Sequence, residues 1–353
     1  MRGLTESIGP PSAPAREAAW LRLDRLTKPP KSLGRLEEWV ARYCAICGAV
    51  PPPEVRAAVL LFAGDHGVAD EGVSAYPAEV TAQMVANFLR GGAACNALAR
   101  EAGADLLVVD VGVRADLPRH EKLLDRKVAR GTRNLLLGPA MTREEAEEAL
   151  RVGFDAARGR AAGGATALVL GEMGIGNTTP AAALTAALLG APAREVVGPG
   201  TGVAGEALER KRSVVERALA RWGRRREDPV DLLRELGGLE IAALAGAILG
   251  GAASRAAVFV DGFVATAAAL LARELSPEAI GYCFFGHLSA EPGHLRQLEA
   301  LGAEPPIRMG MRLGEGTGAL LALGLLRGGL RAFREMATFE EAGVSGAGRE
   351  EEP

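Results

Sequence analysis

The chain has 353 residues, 48% hydrophobic and 24% charged, which is enough to bury a sizeable core in one large domain with or without a smaller appendage. Its 41 basic side chains are offset by 44 acidic ones, so a net charge of -3 provides no broad basic field. Aromatics are only 4%, so the core is built from Ala, Leu and Val, and base stacking of a nucleic acid is not expected.

From the start, Glu17 to Leu26 and Leu33 to Cys47 read as helices, with Cys44 and Cys47 on a buried side. Four cysteines are too few for a disulfide scaffold, and a lone CxxC without a paired HxxxH does not make a zinc site. Pro51-Pro52-Pro53 punctuates before the first strand, Ala57 to Ala63. A helical pattern interrupted at Gly91-Gly92 covers Pro77 to Glu101, Asp105 to Val111 is strand-like, and Thr142 caps an amphipathic helix running to Ala162. Further strands are expected at Ala165 to Leu170, Ala256 to Val260 and Gly281 to Phe285. Helices are expected at Pro180 to Leu189, Ala204 to Arg221, Leu239 to Leu249, Phe263 to Glu274 and Gly316 to Met336.

This alternation predicts an α/β fold: a doubly wound, mostly parallel sheet with helices on both faces. The two chain ends contribute no βαβ unit, so they are assigned to a small helical subdomain. The expected division is 1–55 and 316–353 for that subdomain and its tail, with 56–315 as a Rossmann-like catalytic domain. The tail from Gly343 is rich in Gly and Glu and is expected to fray. The Arg224 to Arg226 cluster, followed at once by Glu227 and Asp228, reads as a solvated helix end or loop. No apolar run reaches about 18 residues unbroken, Ile241 to Ala257 being interrupted by glycines and Arg255, so a cytoplasmic protein is expected.

Ligands of open α/β sheets bind beyond the carboxyl ends of the strands. Here those ends carry Gly64-Asp65-His66-Gly67, Asp110, Glu172 with a glycine turn, Asp261-Gly262 and Gly286-His287-Leu288-Ser289. The Gly171 to Pro180 turn has the grammar of strand, tight turn and helix start, with Thr179 as N-cap and Pro180 as first helical residue. Unpaired N–H groups at such a helix start can hold a phosphate or carboxylate, although packing alone also selects glycine turns. Gly198 to Gly202 forms a second glycine turn before a helix carrying Lys211, one of five lysines, which reads equally as a surface residue. Glu315 sits between glycines ahead of an apolar helix, where a raised pKa would suit a general base; first-turn dipole stabilisation is the alternative. Asp65 and Asp261 read equally as caps of the helices that follow them, and His66 as a hydrogen-bonded structural residue.

Taken together, Leu26 to Glu37, Gly64 to Val68, Gly171 to Pro180, Asp261 to Phe263, His287 to Glu291 and Arg312 to Gly318 closely resemble the nicotinate-nucleotide:dimethylbenzimidazole phosphoribosyltransferase family, in order, over about Leu26 to Leu326. The resemblance implies a homodimer that converts nicotinate mononucleotide and 5,6-dimethylbenzimidazole into α-ribazole 5'-phosphate and nicotinate during cobalamin nucleotide-loop assembly. It assigns the base to Glu315 and the phosphate and ribose to Glu172, Gly174, Gly176, Asn177, Thr178, Gly200 and Lys211. The benzimidazole pocket falls to Tyr76, Gln83, Met84 and Leu313, with Asp261 and Ser289 as further substrate contacts. No cofactor, metal, nucleic acid or membrane is implied. Tyr76 stands where some relatives have Ser, and Met84 where some have Gln, with Gln83 one position earlier; these departures bear on which base is taken. The Ala-rich face of Leu239 to Ala253 is a candidate dimer surface. Two other readings fit the residues alone: a non-catalytic nucleotide-binding protein, and a metal-dependent phosphohydrolase built on Asp65, His66 and Asp261.

Overall fold

A computed structural model describes residues 2–223 and 228–345. The Arg224 to Arg226 cluster and most of the tail beyond Gly343 lie outside the described residues.

Six strands form one sheet: β1 (Ala57–Gly64), β2 (Asp105–Gly112), β3 (Leu123–Asp125), β4 (Ala167–Met173), β5 (Ala257–Val260) and β6 (Cys283–Phe285). Their order is β3-β2-β1-β4-β5-β6, and every pairing is parallel. The central strands are runs of Ala, Val, Leu and Phe buried on both faces, as a covered parallel sheet requires. The chain winds outward from β1 to β3 and then returns to the other side of β1 at β4. The order therefore reverses between β1 and β4, and that crevice is where an open sheet takes its ligand.

The α/β expectation holds, with local differences. β3 is an addition to the expected strands; three residues are too short to show alternation. β4 runs from Ala167 to Met173, so Gly171 and Glu172 are strand residues rather than turn residues. A Cβ on Gly171 would come 2.6 Å from the carbonyl carbon of Glu315, so the glycine is there to let another backbone cross the strand. The helix after the turn starts at Thr178 with Asn177 in the cap position, which puts Pro180 inside the first turn, where its missing N–H is tolerated. The short helices Ala193–Val196, Pro229–Leu236 and Pro292–Ala300 are further additions.

The helix Leu239–Ala253 is not a surface element, contrary to its expected place in a dimer interface. Its residues from Leu239 to Ala252 are all buried inside the chain. It packs against the helix Arg143–Ala162, where Gly153 meets the carbonyl of Ala243 and Gly246 meets that of Leu150 so closely that no Cβ fits at either glycine. Its small residues serve close helix packing within the fold.

The chain divides into two compact units, Met1–Pro10 with Val55–Leu323, and Pro11–Glu54 with Gly324–Pro353. The first holds the sheet. In the second, the helix Ala13–Arg25, capped by Ser12, packs with the helix Arg35–Cys47. There the Arg22 guanidinium lies over the Phe333 ring and donates to its carbonyl at 3.0 Å, and the buried Lys28 pairs with Glu37 at 2.9 Å. Cys44 is fully buried in this unit, and burial beside Cys47 pushes its thiol up to about 12. Among the described residues no helix is long and apolar enough to cross a membrane.

Candidate active site

A cavity of about 360 Å³ opens at the reversal point. Its wall includes Glu172, Gly174, Asn177 and Thr178 from β4 and the turn, Gly200 from the second glycine turn, and Gly262, His287, Ser289 and Glu291 from beyond β5 and β6. Tyr76, Arg312, Leu313 and Gly314 also line it. Tyr76 and Leu313 are more than half exposed, so an apolar rim is left for a ligand to cover. A larger surface hollow of about 680 Å³, around Arg133 to Glu144 and Arg234, lacks such free groups. Its arginines are already paired, Arg133 with Glu145, Arg143 with Asp228 and Arg234 with Glu235.

The turn after β4 is fixed from several directions. Gly174 lies against the carbonyl oxygen of Gly64, at the end of β1, with room for no side chain, and Gly176 adopts a φ of +89°. The N–H of Ile175 donates to the Thr81 hydroxyl at 3.1 Å, and the Asn177 amide donates to the Glu172 carboxylate. The turn therefore delivers the N-terminus of the helix Thr178–Leu189 to the cavity in one conformation, in which the Thr179 N–H donates back to the Gly176 carbonyl at 3.0 Å.

Lys211 is fully buried, which excludes the surface reading. Its ammonium donates to the Thr178 hydroxyl at 2.8 Å and to the Gly198 carbonyl at 2.9 Å, so it clamps the second glycine turn to the helix start. Burial lowers its pKa to about 8, with Glu291 acting in the opposite direction. Gly200 is held on both sides. Its N–H donates to Glu291 at 2.8 Å, and its carbonyl accepts from Arg312 at 3.0 Å. The same loop ties in Tyr76, because the Thr201 hydroxyl accepts the Ala75 N–H at 3.0 Å and meets Ser74 at 3.0 Å.

Neither Asp65 nor Asp261 caps the helix that follows it. Asp65 accepts the Arg114 N–H at 2.8 Å. Asp261 accepts the N–H groups of Gly316 and Ala319, both at 3.1 Å, and so caps the distant helix Thr317–Glu335. His66 pairs with Glu240 at 2.9 Å, both side chains fully buried, in line with its structural reading. The residues of the phosphohydrolase reading thus each serve the fold separately. Among the described residues no three His, Cys, Asp or Glu side chains are grouped to hold a metal. Asp110 is likewise structural, accepting from the Gly112 and Val113 backbone and from Lys127.

Glu315 lies behind Gly314, 6% exposed, with a φ of +62° that a non-glycine residue rarely adopts. Its carboxylate accepts hydrogen bonds from the N–H and the thiol of Cys95, while its Oε2 is buried without a partner. Burial raises its pKa, against those hydrogen bonds. Burial also raises Glu172 to about 8, reinforced by Glu240, and raises Asp261 to about 7. His287, 2% exposed and flat against Gly318, is pushed down to about 4 by burial and is neutral. Ser289 is aligned by its own N–H, which donates to His294 at 2.9 Å, and by its hydroxyl, which accepts from the Glu291 N–H.

The cavity therefore gathers Glu172, Gly174, Asn177, Thr178, Gly200, Ser289, Tyr76 and Leu313, with Lys211, Gly176, Asp261 and Glu315 directly behind its wall. Gln83 and Met84 are not part of that wall: on the helix Val80–Arg90, Gln83 is exposed and Met84 half-buried. Sequence reasoning assigns no role to Cys95, Glu240, Glu291 or Arg312. Glu240 has a visible signal, as an acid in an otherwise apolar alanine-rich stretch. Cys95 has none.

A family described as "Phosphoribosyltransferase" matches residues 8–344. A nicotinate-nucleotide–dimethylbenzimidazole phosphoribosyltransferase of Geobacter sulfurreducens is 53% identical over 345 residues, covering 97% of this chain and 98% of its own. That of Thermus thermophilus is 56% identical over 93% of this chain and 97% of its own. A crystal structure of CobT from Thermus thermophilus superposes with a TM-score of 0.92 at 55% identity, covering 95% of this chain and all of that one. The chain belongs to the nicotinate-nucleotide:dimethylbenzimidazole phosphoribosyltransferase family.

Proposed function

We propose that this chain transfers the 5-phosphoribosyl group of nicotinate mononucleotide to 5,6-dimethylbenzimidazole, giving α-ribazole 5'-phosphate and nicotinate for the nucleotide loop of cobalamin, with Glu315 as general base. The observation that carries this reading is convergence. A helix N-terminus with a buried lysine behind it opens on one cavity, and Glu315, a buried carboxylate with one unpartnered oxygen, directly follows Gly314 of the cavity wall.

In the reaction the bond from C1' to the pyridinium nitrogen breaks, and its electron pair leaves with nicotinate as a neutral ring. One benzimidazole nitrogen bonds to C1' from the opposite face, which inverts that carbon, and the proton on the other nitrogen passes to Glu315. The leaving group needs no acid, so the enzyme's work is orientation and proton removal. The phosphate lies against Gly174, Gly176, Asn177 and Thr178 with Lys211 and the Gly200 turn, which unites the anion-holding features of the site. Glu172 takes ribose hydroxyls. At neutral pH its burial favours the protonated form, which removes the repulsion a carboxylate would exert on the phosphate. Ser289 assists with ribose, Asp261 holds the Glu315 loop, and Tyr76 and Leu313 cover the benzimidazole, with Gln83 and Met84 further out. The assembly is a homodimer.

Incubation with both substrates tests this. Stoichiometric release of nicotinate with a new benzimidazole nucleotide is expected; nucleotide binding without nicotinate release would favour a non-catalytic binding protein.

A further inference from the structure

We propose that Cys95 is a positioning residue for the reaction: its backbone N–H and thiol grip the Glu315 carboxylate so that Oε2 alone is left to take the proton. This rests on the reading of Glu315 as the base.

Cys95 is fully buried at the second position of the helix Ala94–Glu101, where a backbone N–H has no intrahelical acceptor and the helix dipole favours a negative charge. Both of its donors reach Glu315. Burial and the neighbouring carboxylate raise the thiol pKa, so the sulfur keeps its proton and remains a donor. The backbone of Glu315 is fixed from another side, since Asp261 holds the N–H of Gly316 and Gly171 lies against the Glu315 carbonyl. Backbone and carboxylate are thus anchored independently, while Oε2 has no partner. Two further acids stand near this carboxylate, Glu172 on β4 and Asp261 after β5, and its charge raises the pKa of both. The Cys95 donors are the counterweight to burial, favouring the ionised, basic form of Glu315.

The test is the pH profile of kcat/KM for Cys95→Ala and Cys95→Ser, read beside Glu315→Gln. Cys95→Ala removes the thiol donor and should move the acid limb to higher pH, with roughly tenfold loss on the acid side, a smaller loss on the alkaline side and an unchanged KM for nicotinate mononucleotide. Cys95→Ser keeps a donor, and a harder one, and should place the limb below the wild-type position. In the Glu315→Gln background, Cys95→Ala should cost nothing further. An unmoved limb in Cys95→Ala, or an equal loss at every pH that serine does not recover, would overturn the proposal. If Cys95→Ala does not fold, Cys95→Ser decides alone: its harder donor lowers the limb, and an unmoved limb overturns the idea. The two readings fail differently. Near-normal turnover by Glu315→Gln removes the base itself, whereas an inactive Glu315→Gln with an unmoved Cys95→Ala profile removes only Cys95.

Discussion

Asp261 accepts the backbone N–H of Gly316 at 3.1 Å, so the residue that follows β5 fixes the peptide next to Glu315. The helix cap and the placement of the Glu315 backbone are one interaction. Asp261→Asn presents an amide N–H to a backbone N–H on one side and releases the loop. We expect kcat to fall on the order of 10²-fold with little change in KM for nicotinate mononucleotide, because misplacement rather than lost binding is the cause. Steady-state kinetics with circular dichroism to confirm folding checks this; a change confined to KM would contradict it.

Lys211→Met keeps the stem and removes the ammonium that bridges Thr178 and Gly198. KM for nicotinate mononucleotide should rise ten- to a hundredfold, on the order expected for a charged hydrogen bond, while the affinity for benzimidazole is unchanged. The wild-type affinity for the nucleotide should also weaken as pH rises through about 8, where Lys211 loses its proton, and the methionine variant should lack that dependence. Calorimetric titration at several pH values measures both.

Glu172 is raised from 4.5 to about 8, chiefly by burial. A carboxyl with a raised folded pKa contributes no penalty below its unfolded value and an increasing one as pH climbs through the folded value. The ligand-free protein should therefore lose stability from Glu172 between about pH 4.5 and 8. Glu172→Gln keeps the shape and an acceptor for Asn177, so it should melt several degrees higher than wild type at alkaline pH and the same at pH 4. Equal melting shifts at both pH values would contradict the assignment.

His66→Ala leaves the fully buried Glu240 without its 2.9 Å partner. Breaking a buried pair in this way costs about 3–5 kcal/mol, so thermal unfolding should move sharply downward. Nucleotide binding by the folded fraction should persist, since His66 is not part of the cavity wall. Loss of binding without loss of stability would make His66 a site residue instead.

Much of the fold is legible in the sequence because strands buried on both faces appear as unbroken apolar runs, as in β1 and β5. Their polar ends then point to the ligand side of the sheet. The glycine turn and the Glu315 segment stand out by composition alone. What the sequence hides is contact across the chain. Glycine usually marks a turn, whereas Gly171 lies in β4 because the Glu315 backbone crosses there. Asp261 looks like a local cap, yet its partners come more than fifty residues later. Leu239–Ala253 looks like an interface because small residues suit any close packing, and its partner is the helix Arg143–Ala162. Cys95 gives no hint, since its role depends on which carboxylate the fold brings to it.

The most direct test of the central claim is single-turnover nicotinate release by Glu315→Gln, with nicotinate mononucleotide affinity measured on the same protein. We predict intact folding and nucleotide binding with turnover reduced at least 10²-fold, the range general-base removal commands. Turnover near that of the wild type would show that Glu315 is not the base.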